Sequence, residues 1–551
     1  MGRNFRRDLV LFLATLTFAV SLVFTAPKRA QAIPAFSRQY GTSCSTCHID
    51  FPKLNDFGKA FKDAGFKFPK DDETFIKVPP VMLGAQANKE LWPHSIWPGS
   101  IPGLPPIGLR YNSFFQLTSK NRGNFNALNP PGTISQFVPR TDFSSGLFSI
   151  FTAGNFGSDI AFWVDDDISV SGDNAAGGLG DAYLKFVNIS RFMKMPKDSL
   201  SLRIGQFELD LPFTQARTYN LSGWDIYGQG NFGAINPTFA NQQNVNNQFT
   251  MADAMRGVEL SGGHNYGGYH YSIAFVDQNT SGISQGDNNS NFVPSPTGSN
   301  NGGVGFASDS NFKDIYARFS YRFNLEKDKT SRNAVQAAGP MGPRDHTSLR
   351  LGTYWFYGRS VQRFNGVTLA DTPTVLTARE PFYRTGGDFN LNYRNFNFYG
   401  LYMYGHDNNL IPVDASGTMV ALPVPTEDST AVAFIRGTPA TFSGGFLQAD
   451  YMVYPWMMAI MRYDSVNSSA DRINSLDQSG VGSFLQPFSS TRNRITPGVQ
   501  FLIHANIKTS FEYQIRPQQS VVVVADPVTG QPRAANPFRT NTAVIGLEFV
   551  Y

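Results

Sequence analysis

The sequence predicts an all-β transmembrane barrel of about sixteen antiparallel strands, preceded by a small helical domain. Three observations carry this. From residue 107 onward, apolar and polar residues alternate with a period of two. The chain is rich in Phe (48) and Tyr (22), yet its mean hydropathy is only -0.24. After residue 32, no apolar run approaches the ~18 residues of a spanning helix.

Residues 1–32 read as a secretory signal peptide: Arg3, Arg6 and Arg7, an apolar run over residues 9–24, then Ala30-Gln31-Ala32, with cleavage expected after Ala32. This segment holds five basic residues and one acidic residue. Without it, the totals of 46 basic and 42 acidic residues become 41 and 41. A neutral mature chain offers no footprint for nucleic acid.

Residues 33–78 read as a small helical unit. Leu54, Phe57 and Phe61 recur at helical spacing, and Gly65 is placed to end the helix. The unit contains both cysteines of the chain, within Cys44-Ser45-Thr46-Cys47-His48. Two thiols at this spacing can form thioethers with the vinyl groups of one haem, and the adjacent imidazole can ligate its iron. The reading is therefore one covalent haem c on Cys44 and Cys47, with His48 as proximal ligand. A zinc site would want a second ligand pair, thioredoxin chemistry a βαβ context, and a plain disulfide leaves His48 without a role. For the distal position, His94 and Met82 are the candidates.

Residues 79–106 are rich in Pro and Trp and suit an extended linker or plug. Residues 107–551 are the expected barrel. Ile315, Ala317, Phe319, Tyr321 and Phe323 alternate with Asp314, Arg318, Ser320, Arg322 and Asn324, interrupted only by Tyr316. Similar segments begin near residues 107, 143, 158, 180, 199, 254, 267, 312, 346, 382, 395, 441, 456, 491, 506 and 541. Short connectors near 155, 264, 394, 454 and 504 alternate with long ones, among them 210–253 and 360–381. Outer-membrane barrels have short periplasmic turns and long outer loops, so both barrel ends should lie in the periplasm. The connector at 324–345 is too long for this scheme. The last segment puts Ala543, Ile545, Leu547, Phe549 and Tyr551 on one face, as expected of a closing strand.

Pro34-Ala35-Phe36-Ser37-Arg38-Gln39-Tyr40-Gly41, the Cys44–His48 motif and the Phe51-Pro52, Leu54, Phe57-Gly58, Phe61 pattern together resemble the amino end of the fused cytochrome-porins. In that family a one-haem cytochrome precedes an outer-membrane barrel, and its best-known members oxidise ferrous iron. The resemblance implies an iron-oxidising oxidoreductase of the bacterial outer membrane, with its haem domain on the periplasmic side or in the barrel lumen. Electrons would pass from extracellular Fe(II) to a periplasmic cytochrome-like carrier. Arg203-Ile204-Gly205-Gln206-Phe207 followed by Pro212-Phe213 also resembles phosphate-type porins. Two other functions fit the same residues: a solute porin with a tethered haem domain, and electron export to an extracellular acceptor. Outer-membrane lipid is the expected surround, and a homo-trimer is an assembly that porin-type barrels often adopt.

Asp165, Asp166 and Asp167, with Glu208 and Asp210, are carboxylates expected near the outer rim, where hard oxygen ligands could collect iron. His264, His270, His346, His406 and His504 lie on separate segments at no ligand spacing and read as structural.

Overall fold

A period of two becomes a strand because successive side chains of an extended backbone point to opposite faces. In the computed structural model, sixteen such strands close into one antiparallel barrel. In chain order they are β1 (Ile107–Thr118), β2 (Thr141–Phe156), β3 (Ile160–Ser169), β4 (Gly178–Phe186), β5 (Ser201–Phe207) and β6 (Met255–Gly263). Next come β7 (Gly268–Asp277), β8 (Asp314–Asn324), β9 (Ser348–Leu369), β10 (Thr372–Tyr393) and β11 (Phe396–Asp407). The wall is completed by β12 (Ala440–Tyr454), β13 (Met457–Ser468), β14 (Thr491–His504), β15 (Ile507–Gln514) and β16 (Thr542–Val550). Each strand pairs with its chain neighbours, and β16 returns to β1 with Ile545 opposite Phe115. Closure leaves no sheet edge, which a wall facing lipid requires because lipid offers no hydrogen-bond partner.

The structure describes residues 35–50, 52–68, 72–78, 81–82, 90, 100–101, 106–118, 141–156, 159–169, 178–214, 220–228, 251, 254–277, 313–325, 347–369, 372–408, 410–413, 416–417, 433–436, 439–469, 491–515, 523–525, 532–534 and 541–551.

The barrel is apolar outside and charged inside. On β8, Phe319, Tyr321 and Phe323 are 51%, 42% and 46% exposed, whereas Arg318, Ser320 and Arg322 are buried. Luminal charges are paired: Arg462 with Asp464 two residues along β13 at 2.9 Å, Arg494 of β14 with the same Asp464 at 3.1 Å, and Lys508 of β15 with Glu548 of β16 at 2.6 Å. Tyr316, the break in the β8 alternation, points inward, and its hydroxyl donates to the Asp210 carbonyl at 2.7 Å.

The predicted long connector at 360–381 is instead strand. β9 and β10 form one long hairpin that stays paired from Ser348 opposite Asn392 to Leu369 opposite Thr372, with one irregularity after Phe364. Runs such as Thr372-Pro373-Thr374-Val375-Leu376-Thr377 carry enough β-branched residues to extend the ladder. The long connector after β8 lies outside the described residues, yet β9 still pairs with β8 and the strand number is sixteen.

Two segments occupy the lumen. Residues 35–50, 52–68 and 72–78 form a plug at the end of the short turns, built on α1 (Ala35–Tyr40), α2 (Asp56–Asp63) and α3 (Asp72–Phe75). Residues 208–214 and 220–228, after β5, fold inward from the opposite end, the latter finishing in α4 (Asp225–Gly228). Leu209, Leu211, Trp224, Ile226 and Tyr227 of this segment join one buried cluster with Tyr316, Tyr399 and Phe446 of the wall.

Candidate functional site: the Cys-x-x-Cys-His plug

Local chemistry builds the plug around α2. Asn55 caps the helix, its Oδ1 accepting from the Gly58 amide at 2.8 Å. Its Nδ2 donates to the Thr46 and Ser45 carbonyls at 3.0 and 3.2 Å, and its own amide donates to the Cys47 carbonyl at 2.9 Å. One buried side chain thus ties the helix start to the cysteine motif. Gly58 permits the close approach, because a Cβ there would collide with the Cys47 carbonyl oxygen. The helix stops where the sequence predicts. Gly65 has φ +79°, and the Phe66 amide returns to the Phe61 carbonyl at 2.9 Å, closing the C-terminal turn.

Cys44 opens a single 3-10 turn (Cys44–Thr46), Cys47 follows directly, and both are free thiols. Burial, and Cys44 beside it, push the Cys47 thiol up to about 12, and burial also raises Cys44. Both are therefore neutral at physiological pH. The His48 Nδ1 lies 3.1 Å from the Pro52 carbonyl. A carbonyl only accepts, so Nδ1 carries the proton and Nε2 the lone pair, the tautomer a ligating histidine needs. Burial lowers His48 to about 4, against the opposing effect of its backbone hydrogen bonds, so the ring stays neutral. Two free thiols three positions apart, followed by a neutral imidazole held in this tautomer, are the donor set that covalent haem requires.

Aromatic packing forms the body of the plug. Tyr40 stacks on Phe68 at 4.3 Å, Phe36 meets Phe61 edge-on at 5.0 Å, and Phe57 meets Phe68 at 5.1 Å. Cys47 packs against this cluster.

The plug is fastened to the wall by charge as well as by packing. Asp56, buried in α2, takes a fork from Arg322 of β8 at 2.5 and 2.9 Å, and Lys59 at 3.2 Å. Lys53 reaches Asn397 and Asp450, the latter at 3.4 Å, and lies over the Tyr399 ring at 4.7 Å. Asp63 accepts from the Asn265 amide and side chain at 3.1 and 3.2 Å. Phe66 packs on Trp163 at 5.6 Å, and Ile49 on Met452, Met458 and Ile460. Every one of these partners lies near the short-turn end of its strand.

Of the other candidates, Met82 pairs its backbone with Ser100, and His94 lies outside the described residues. The rim carboxylates do not converge. The Asp165 side chain accepts from the Asp181 amide, Asp166 points to solvent, and the Asp167 side chain lies outside the described residues. Glu208 is buried, its amide donating to Asp181 at 2.6 Å. Among the described residues, no three His, Cys, Asp or Glu side chains form a group that could hold a metal ion. His270 joins the luminal network, 2.9 Å from Asp210. His264 lies 4.0 Å from Asp198, His406 stacks on Tyr383 at 5.1 Å, and His346 lies outside the described residues. Sequence reasoning misses Asn55, Lys53 and Arg322, whose partners are brought close only by the fold. Only Asn55, an N-cap residue type before the Asp56-Phe57-Gly58 helix start, left a local signal.

The fold and site define a closed sixteen-strand transmembrane barrel of porin type carrying an internal plug. No family model and no curated protein matches the chain. Solved structures similar to it include an anion-selective porin from Comamonas acidovorans, at 12% identity and TM-score 0.41, covering 81% of this chain and 98% of that one. OmpT of Vibrio cholerae in trimer form matches at 8% identity and TM-score 0.40, with the same two coverages. OmpF of Salmonella typhi in complex with daunomycin matches at 9% and 0.36, covering 81% and 97%.

Proposed function

We propose that this protein is an outer-membrane cytochrome-porin, in which Cys44 and Cys47 hold one haem c and His48 is its proximal ligand. Its function is to carry electrons across the outer membrane, from ferrous iron outside to a periplasmic carrier. The observation that carries this reading is that the Cys-x-x-Cys-His unit is fastened into the short-turn mouth of the barrel by the buried Asp56–Arg322 pair and by Lys53. A redox group held there could take up electrons arriving through the barrel, in a membrane that conducts none itself. In outer-membrane barrels short turns face the periplasm, so in this reading the mouth opens there. The haem, when bound, supplies a one-electron couple whose potential follows from its ligands and exposure. The chain's own part is to fix the His48 tautomer through Pro52, to hold the cysteine turn through Asn55, and to back Cys47 with the aromatic cluster. Iron enters this reading through the resemblance of residues 34–66.

Two measurements on protein exported with haem-attachment machinery test it. Haem should survive denaturing electrophoresis, and the Cys44→Ala/Cys47→Ala double variant should lose it. The oxidised protein, mixed with ferrous iron without oxygen, should show rapid reduction in its haem absorbance. A haem that strong reductants reduce but ferrous iron does not would remove iron as the donor.

A second reading, a solute porin with a tethered haem domain, is favoured by the cavity left between the two luminal segments. Steady large openings in planar bilayers with haem attached would select it over the closed conduit.

A further inference from the structure

The connector from β4 to β5, residues 187–200, lies at the short-turn end and turns three large apolar side chains outward. Phe192, Met193 and Met195 are 73%, 61% and 40% exposed. The connector has a fixed shape. Ile189–Met193 form a 3-10 turn, the Met195 amide donates back to the Ser190 carbonyl at 3.0 Å, and the Asp198 amide donates to the Asn188 side chain at 2.8 Å. Lys194 holds a left-handed backbone, φ +57°, which a residue with a Cβ adopts only where its surroundings impose it. A turn so held keeps the apolar side chains presented rather than packed.

The course of the connector shows what they are presented to. At its start, Val187 packs on the aromatic body of the plug, inside the barrel. By Ser199 it has crossed to the outer face: the Ser199 carbonyl accepts from the Tyr271 hydroxyl at 2.8 Å and takes the space where a Cβ on Gly262 would stand. Tyr271 shares its face of β7 with the exposed Tyr269 and Ile273 and lies opposite Phe319 of β8, all part of the apolar exterior. The connector therefore rounds the rim onto the outer perimeter. It does so at the level where the apolar exterior ends, since the exposed Phe156 closes β2 and Arg191 reaches Asp159 just beyond it at 2.5 Å. Lys194 and Lys197 are exposed and have no acidic partner among the described residues. Apolar side chains with cations beside them, at the edge of a lipid-facing wall, are the composition of a segment that lies in a membrane interface.

We propose that residues 189–197 form an interfacial foot resting in the bilayer leaflet at the short-turn end. Phe192, Met193 and Met195 enter the acyl boundary, and Lys194 and Lys197 meet anionic phospholipid headgroups. Continuity with the apolar exterior favours lipid over a protein partner. The surface belongs to the barrel and does not depend on what the cysteines carry.

The test uses full-length protein in nanodiscs of phosphatidylglycerol or of phosphatidylcholine, each containing a phospholipid with a photoreactive diazirine on its acyl chain, with insertion sites mapped by mass spectrometry. Labelling of the exterior at Phe319 and Tyr321 shows in every sample that the barrel is inserted. In phosphatidylglycerol the stretch Phe192–Met195 should also be labelled. That signal should fall by about threefold or more in phosphatidylcholine and in the Lys194→Gln/Lys197→Gln variant. A labelled exterior with an unlabelled connector would overturn the proposal and turn the search to a protein partner. Connector labelling that neither lipid charge nor the double variant changes would overturn it as well.

Discussion

At the residue scale, the plug depends on a few side chains whose loss has a definite cost. Asn55 satisfies the start of α2 and two carbonyls of the cysteine loop at once. Asn55→Ala removes a cap and strands those carbonyls, a destabilisation of about 1–2 kcal/mol. It should appear as a lower melting temperature together with a lower yield of attached haem, since the same bonds position Cys47. Gly65→Ala forces a Cβ into a left-handed backbone against Val187, at a cost of about 1–2 kcal/mol from the backbone alone. Circular dichroism melts of the two variants, compared with a surface substitution such as Lys197→Ala, check both. The cysteine pair, His48 and Gly65 were legible in the sequence because each has a fixed local signature. Asn55 was overlooked because capping depends on where the helix begins, and a short amphipathic stretch blurs that boundary by a residue or two.

At the element scale, the question is what keeps α2 in the barrel. Asp56 is 2% exposed and takes both arms of its fork from Arg322. Removing Arg322 leaves buried Asp56 with only the partly exposed Lys59 at 3.2 Å, a loss that approaches the ~3–5 kcal/mol of a broken buried pair. Arg322→Met should therefore loosen the plug and raise single-channel conductance. The double variant Asp56→Leu/Arg322→Met should return the channel toward its closed level, because a matched apolar pair removes the stranded charge. Equal conductance in wild type and Arg322→Met would show that the aromatic body, rather than this ion pair, seats the plug. The strands were legible because a lipid-facing wall imposes alternation residue by residue. The β9–β10 hairpin was not, because its outer half extends past the alternating region and reads like a polar loop. Tyr316, a fault in the alternation, proves to be a luminal contact for the inward segment.

For the whole molecule, charge pairing bears on what can reach the plug from the long-loop end. Around the cavity above α2, Arg322 and Lys59 are matched by Asp56, Lys53 by Asp450 and Arg350 by Asp388, so the lumen there presents little net field to an entering divalent cation. If ferrous iron travels this way, its rate of haem reduction should change less than about threefold as salt increases from about 10 mM to about 0.3 M, because paired charges leave little field to screen. Stopped-flow absorbance across that range checks it. A rate that falls with salt would mean that attraction to carboxylates governs the approach instead.

A wall of about sixteen strands, its apolar exterior, and a Cys-x-x-Cys-His unit preceding it all follow from the chain alone, because period, composition and motif spacing are properties of neighbours along it. The fold in three dimensions was needed to seat this unit within the barrel, to bring residues 208–214 and 220–228 in to meet it, and to match the cations of the plug and wall with buried carboxylates. Those facts depend on partners such as Asp56 and Arg322, 266 residues apart. A chain pattern records which face a residue takes, while closure of the wall determines what lies opposite.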